Sequence, residues 1–194
     1  MRLFHIILDS PAQFEITKTE LDIGMITQPY IDIAHCIRAG FCVSHALRSW
    51  VRITIGFDNL GPFSLTLDPT TIRFLGTDER SILHVILRSQ EAQYTSKAKV
   101  PYGVSLSENS VMEILAAHQQ DRSLIIFPGK DATWESATAH IDSLVMYCAL
   151  SKEIKPEIET RFKGKVYKSS HRPDLSILEL VHTLDTSGLV VQKD

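Results

Sequence analysis

Only three cysteines, Cys36, Cys42 and Cys148, occur in 194 residues, and no two form a CxxC pair. An odd number at those spacings argues against a disulfide framework and suits a reducing compartment. Positive charge is not in excess either: the formal net charge is −3 and the pI about 6.2. No global basic field exists, so a nucleic-acid partner requires a local basic patch. No run approaches the roughly 18–20 apolar residues of a membrane span. The short apolar run in "MRLFHIILDSPAQF" lacks the length and cleavage site of a signal peptide. The expected setting is a soluble, cytoplasmic protein without a membrane partner. The nine glycines form neither G-x-G-x-x-G nor G-x-x-x-x-G-K-[ST], and no G-x-S-x-G elbow occurs. "FPGKDAT" at 127–133 therefore reads as a turn in preference to a phosphate cradle. Repeats and low-complexity tracts are absent.

What is present is a globular mixture, 44% hydrophobic and 22% charged. A chain of this length can bury one core, so residues 1–194 are read as a single domain. Short β-branched or apolar runs bounded by turn residues predict strands at Leu3–Leu8, Val51–Phe57, Phe63–Leu67, Thr71–Leu75, Tyr102–Leu106, Ser123–Phe127, Ser143–Leu150 and Lys165–Tyr167. Glu15–Gln28 reads as loop, as does the polar, basic stretch Thr95–Pro101. Pro29 suits a first helical turn and opens a long helix, Tyr30–Trp50. Thr77 or Asp78 caps a helix through "DERSILHVILRSQEAQ", and Ser107 with Ser110 caps "VMEILAAHQQ". Ile154–Phe162 and Leu175–Leu184 complete the helices. Alternation of strands and helices, with continuous apolar runs at 123–127 and 143–150, predicts an α/β fold: a mostly parallel sheet with helices on both faces. Ligands of such sheets bind at the carboxyl ends of the strands. That directs attention to the loops after Phe127, Leu150 and Tyr167.

"DIAHCIRAGFCVSHALRSW" (32–50) gathers His35, Cys36, Cys42 and His45. At about 100° per residue, His35 and Cys42 lie close, His45 is further round and Cys36 is opposite. The spacing matches no standard zinc pattern, so no metal is expected and the cysteines read as buried hydrophobes. On the same projection Arg38, His45 and Arg48 form a basic edge. It reads either as a solvated, ion-paired edge or as a contact for an anionic polymer. "KGKVYKSSHRPD" (163–174) concentrates Lys163, Lys165, Lys168 and Arg172 around Tyr167, with His171 adding charge when protonated. It is either a solvated loop or a ligand or RNA loop.

Several segments recur in a familiar order. "SHALR" (44–48) runs into "VRITIGF". "GTDERSILHVIL" (76–87) follows, then "VPYGVSLSENSVMEILAAHQQDRSLIIF" (100–127), and finally "LSILELVHTLD" (175–185). This order resembles the archaeal-type tRNA pseudouridine N1-methyltransferases, a branch of the SPOUT class of trefoil-knotted methyltransferases, over nearly the whole chain. The resemblance implies a C-terminal knot in the region of about 123–185, one of the rare exceptions to unknotted topology. It also implies a homodimer, with the closing helix Leu175–Leu184 as the expected interface, and S-adenosylmethionine held between two loops. By position these loops are Cys148–Lys152 and Tyr167–Asp174. The expected cofactor-binding residues are Cys148, Ala149, Leu150, Tyr167, Ser169 and Ser170. Asp174 or His171 is the expected base, and Arg38, His45, Arg48, Lys163, Lys165, Lys168 and Arg172 the expected RNA contacts. Tyr167 is placed to stack on an unpaired base. The first loop, "CALSKEIKP", holds no glycine, although close backbone approach to a ligand favours one. That absence motivates a second expectation, a dimer of the same scaffold that has lost the cofactor and binds RNA or a protein. An unrelated α/β protein is the third.

Overall fold

The computed structural model describes residues 3–10, 16–44, 46–57, 63–95, 98–120, 123–128, 143–150, 156–162, 165–167 and 172–186. Strands form at Leu3–Asp9 (β1), Cys42–Val43 (β2), Ala46–Leu47 (β3), Val51–Gly56 (β4), Ser64–Leu67 (β5), Val104–Ser107 (β6), Leu124–Pro128 (β7), Ser143–Ala149 (β8) and Lys165–Tyr167 (β9). Helices form at Lys18–Asp22 (α1), Gln28–Phe41 (α2), Glu79–Tyr94 (α3), Val111–Gln120 (α4), Pro156–Arg161 (α5) and Pro173–Thr186 (α6). Seven strands make one sheet in the order β6-β5-β4-β1-β8-β7-β9, while β2 and β3 form a separate hairpin. β4, β1, β8, β7 and β9 run parallel, and β5 and β6 add an antiparallel edge.

The alternation of β1 explains its central place. Phe4, Ile6 and Leu8 enter one core with α2, α3 and α6, while Ile7 enters a second with α4 and α5. Helices thus cover both faces, as expected for a mostly parallel sheet. Side chains such as Phe4 and Ile6, with no exposed surface, each stabilise the fold by roughly 1.5–3 kcal/mol. Gly40 lets α2 lie close on the sheet: a Cβ there would sit 2.8 Å from Ile6 and 3.1 Å from Ile53.

Local signals hold where they are chemical. Asp78 accepts from the Ser81 N–H and starts α3, and Ser110 with Glu113 forms a reciprocal cap on α4. Three expectations change. First, Glu15–Gln28 contains α1, capped by the Thr17–Glu20 box. Second, Thr71–Leu75 is not a strand. The Asp68 carbonyl accepts from the Thr71 and Ile72 N–H groups, its carboxylate accepts from Thr70, and Phe74 takes φ 63°. Third, the helix from Tyr30 stops at Phe41 instead of Trp50, because the chain turns back as the β2–β3 hairpin.

That third change removes Arg48 from the basic edge. Arg48 lies beyond the hairpin with its side chain buried, and its Nη1 donates to the carbonyls of Ala39, Gly40 and Cys42 at 3.1–3.2 Å. Its Nε and Nη2 each lie 3.0 Å from Asp185 of α6. One guanidinium therefore satisfies the end of α2 and ties it to α6. The RNA contact expected of Arg48 is corrected to this structural role. The knot expected for about 123–185 would be threaded through 129–142, 151–155 and 168–171, which lie outside the described residues. No helix among the described residues is long and apolar enough to cross a membrane.

Beneath α4 the sheet carries a buried polar chain. His5 Nδ1 meets His118 Nε2 at 2.6 Å, His5 Nε2 meets Thr54 Oγ1 at 2.7 Å, and Thr54 meets Thr66 at 2.7 Å. Burial, then the His118 ring and Arg52, hold the His5 pKa down to about 3 from its ordinary 6.5.

Two predictions follow from these contacts. Arg48→Ala leaves three carbonyls and Asp185 without their partner and is expected to cost roughly 2–4 kcal/mol. Arg48→Lys restores only part, because an ammonium does not reproduce the fork. Urea denaturation reads both. His5 folds in its neutral form, so below its ordinary value the unfolded chain binds a proton that the folded chain refuses. Its contribution is therefore complete above pH 6.5 and declines as the pH falls towards 3, by about 1.4 kcal/mol per unit of separation at most. Unfolding measured across that window should show a shallower pH dependence in His5→Gln than in the parent. Equal slopes would contradict the assignment.

Candidate functional site at the carboxyl ends of the parallel strands

β1 and β8 are adjacent and parallel, yet the chain leaves them for opposite faces. After β1 it goes to α1 and α2 on one side, and after β8 to α5 on the other. This is a topological switch point, where open α/β sheets form a ligand crevice. Asp9 and Ser10 end β1, and Ala149 and Leu150 end β8. The Leu150 N–H donates to the Asp9 carbonyl at 3.0 Å, and the Ser10 N–H to that of Gly56 at 3.0 Å. The buried Asp9 carboxylate accepts from the Tyr147 hydroxyl at 2.8 Å. Asp9 and Tyr147 were not singled out from the sequence. "LD" ending an apolar strand was their only signal.

Of the expected cofactor residues, Ala149 and Leu150 stand at this crevice, half-buried. Cys148 points the other way: it has no exposed surface, belongs to the core under α2, and burial pushes its thiol pKa well up. Its expected cofactor contact is corrected to core packing, which the alternation of a strand imposes on every second residue. Cys36 is equally buried. Burial, then Cys148, Asp174 and Asp32, push its thiol pKa well up.

A polar cluster surrounds the start of α6. His35 Nε2 donates to Glu79 Oε1 at 3.2 Å, and Arg38 Nη1 reaches the same oxygen at 3.1 Å. Glu79's own N–H at the helix start, then His35 and Arg38, hold its carboxyl below the usual range. Arg172 Nη2 lies 3.0 Å from Asp174 Oδ2. His35 Nδ1 is buried, makes no hydrogen bond, and lies 3.9 Å from that same Asp174 oxygen. That distance is too long for a hydrogen bond. The imidazole thus lies between two carboxylates and is bonded to one of them. They face opposite edges of the ring, so they do not converge on a common ion. Among the described residues no group of three His, Cys, Asp or Glu side chains is placed to hold a metal.

The fold brings the expected base Asp174 and the expected RNA contacts Arg38 and Arg172 into this one cluster, joined by His35 and Glu79. Arg38 and Arg172 remain exposed. Each is ion-paired, Arg38 with Glu79 and Arg172 with Asp174. Lys165 and Tyr167 are placed as backbone positions of β9. His45, Lys163, Lys168, Ser169, Ser170 and His171 lie outside the described residues. Compared with protein-family models and with curated proteins, the chain matches none.

Tyr147→Phe removes one donor from the buried Asp9 carboxylate. It is expected to lower stability by about 1.5–3 kcal/mol, the usual worth of a hydrogen bond to a charged group. The shift of the urea midpoint measures it.

Proposed function

We propose that the chain is an S-adenosylmethionine-dependent RNA methyltransferase, acting on a pseudouridine of tRNA or another base, and working as a homodimer on a SPOUT-like knotted scaffold. The support is the order of segments that resembles that class, on a sheet with five parallel strands. The observation that carries the reading is convergence. Residues 149–150 end β8 at the switch point, and α6, from the far end of the chain, packs with α2 over the same sheet and brings Asp174 to 3.9 Å from His35. For the homodimer, Leu175 and Leu178 leave an exposed apolar pair on α6.

The crevice fits the cofactor in part. Ala149 and Leu150 are half-buried at the strand end and pack on the two cores, whereas Cys148 is wholly buried. When bound, S-adenosylmethionine supplies a methyl carbon whose bond to sulfur breaks as a base nitrogen attacks it. The chain's part is mainly orientation. Asp174 receives the proton that the attacked nitrogen gives up, and Arg172 fixes its carboxylate. His35 Nδ1 stands behind as a second acceptor, oriented by the bond from Nε2 to Glu79.

A second reading is favoured by one observation. The Ser10 and Leu150 N–H groups are both spent on the sheet, and the loop after β8 has no glycine. On that reading the chain is a dimer without cofactor that binds RNA or a protein. Calorimetric titration with S-adenosylmethionine, together with methyl transfer to unmodified tRNA, separates the two. The enzyme reading expects saturable binding in the parent and in Asp174→Asn, with transfer about a hundredfold slower in the variant. Absence of binding at millimolar cofactor would overturn it in favour of the second reading.

A further inference from the structure

A pocket of about 660 Å3 opens on the flank of α3, away from the switch point, lined by α1, by the turn after β5 and by the turn before β6. That volume falls within the roughly 300–1,000 Å3 usual for small-molecule sites. Two large aromatic side chains stand at it largely in solvent, Phe74 93% exposed and Tyr102 72% exposed. Three cations share the lining, Lys18, Arg73 and Arg88, and none forms an ion pair among the described residues. Asp22, the one carboxylate there among the described residues, is bound by His84 at 3.0 Å.

The arrangement is built, not incidental. Gly103 has φ 78°, and a Cβ on it would lie 2.1 Å from Ile72 Cα, so only glycine lets the two turns meet. The Asp68 N–H donates to the Gly103 carbonyl at 2.8 Å and locks them. This sets Tyr102 under Arg73, whose guanidinium carbon is 5.3 Å from the ring centroid. Phe74 is held at φ 63°, a conformation unfavourable for a bulky residue, while its ring packs on almost nothing. Exposed aromatics beside cations that form no ion pair among the described residues suit unpaired nucleotides: flat rings stack on bases and cations take phosphates.

We propose that this pocket binds an unpaired stretch of RNA, one base stacking on Phe74 or Tyr102 and the neighbouring phosphates meeting Lys18, Arg73 and Arg88. The choice of RNA as the strand rests on the function proposed above; the pocket chemistry requires only an unpaired, anionic, base-bearing chain. The pocket's Ser81 is two residues from Glu79, the partner of His35. A strand seated here therefore runs beside the helix that begins in the polar cluster.

The test uses the full chain without cofactor, so its outcome is independent of methyl transfer. The probe is a labelled oligouridylate of about ten nucleotides, within the usual site size of such surfaces. The parent should bind it by fluorescence anisotropy, and a blunt RNA duplex should compete poorly. Phe74→Ala and Tyr102→Ala should each weaken binding roughly tenfold or more. Arg73→Ala with Arg88→Ala should reduce the slope of log affinity against log salt by about 1–2. Phe74→Gly should weaken binding while raising the unfolding midpoint, because it relieves the positive φ. Absence of binding by the parent, duplex binding as tight as the single strand, or undiminished affinity in the two aromatic variants would overturn the proposal. Binding through these residues with no affinity for S-adenosylmethionine would uphold it and remove the enzyme reading instead.

Discussion

Arg48 sits where the end of one helix, a hairpin and the far half of another helix must be reconciled. Its planar fork meets three carbonyls of the α2 terminus and the Asp185 carboxylate of α6 at once. Without those donors the last turn of α2 would leave buried acceptors unpaired. With them, α2 and α6 lie side by side over β1 and β4, and Gly40 lets α2 come down on Ile6 and Ile53. The same pairing sets Asp174 of α6 opposite His35 of α2, two turns and more from the clamp itself. A contact that is purely structural at one end of the helix pair thus decides the chemical geometry at the other.

The molecule divides its polar groups by face and by depth. On the α4 side, the chain of His118, His5, Thr54 and Thr66 buries His5 and Thr54, so it favours a neutral His5 imidazole. On the α2 side, the His35, Glu79, Asp174 and Arg172 cluster is half-open, with one ring nitrogen unpaired and the Asp174 carboxylate 3.9 Å from it. α3 connects this cluster, at its first residue, to the aromatic and cationic pocket along its flank. The polar cluster and the aromatic pocket are thereby joined by one helix.

Much of this was legible in the residue pattern because the determinants are local. Apolar β-branched runs placed β1, β4 and β8 within a residue or two, and Asp78 and Ser110 marked helix starts through hydrogen bonds that span only three residues. The misreadings share a cause. Apolar periodicity continued past Phe41, so nothing local ended the helix there; the stop is made by a guanidinium arriving from beyond the hairpin. Thr71–Leu75 has strand-forming residues, but Asp68 captures the backbone donors that a ladder would need. The basic edge of Arg38, His45 and Arg48 depended on a single helix through Arg48, and it dissolved with that helix. Cys148 was assigned to the crevice by its position in a loop-bearing segment. Strand alternation sends its side chain into the core under α2.

The sequence by itself determined the class of fold, the location of the buried strands and the helix caps. These follow from periodicity and from side-chain reach over a few residues. Only the tertiary structure decided which polar groups meet. His35 with Asp174, Asp9 with Tyr147, Arg48 with Asp185, and Tyr102 with Arg73 are each separated by 29 residues or more in the chain. Such partners are chosen by strand order and helix stacking, which no stretch of neighbouring residues encodes.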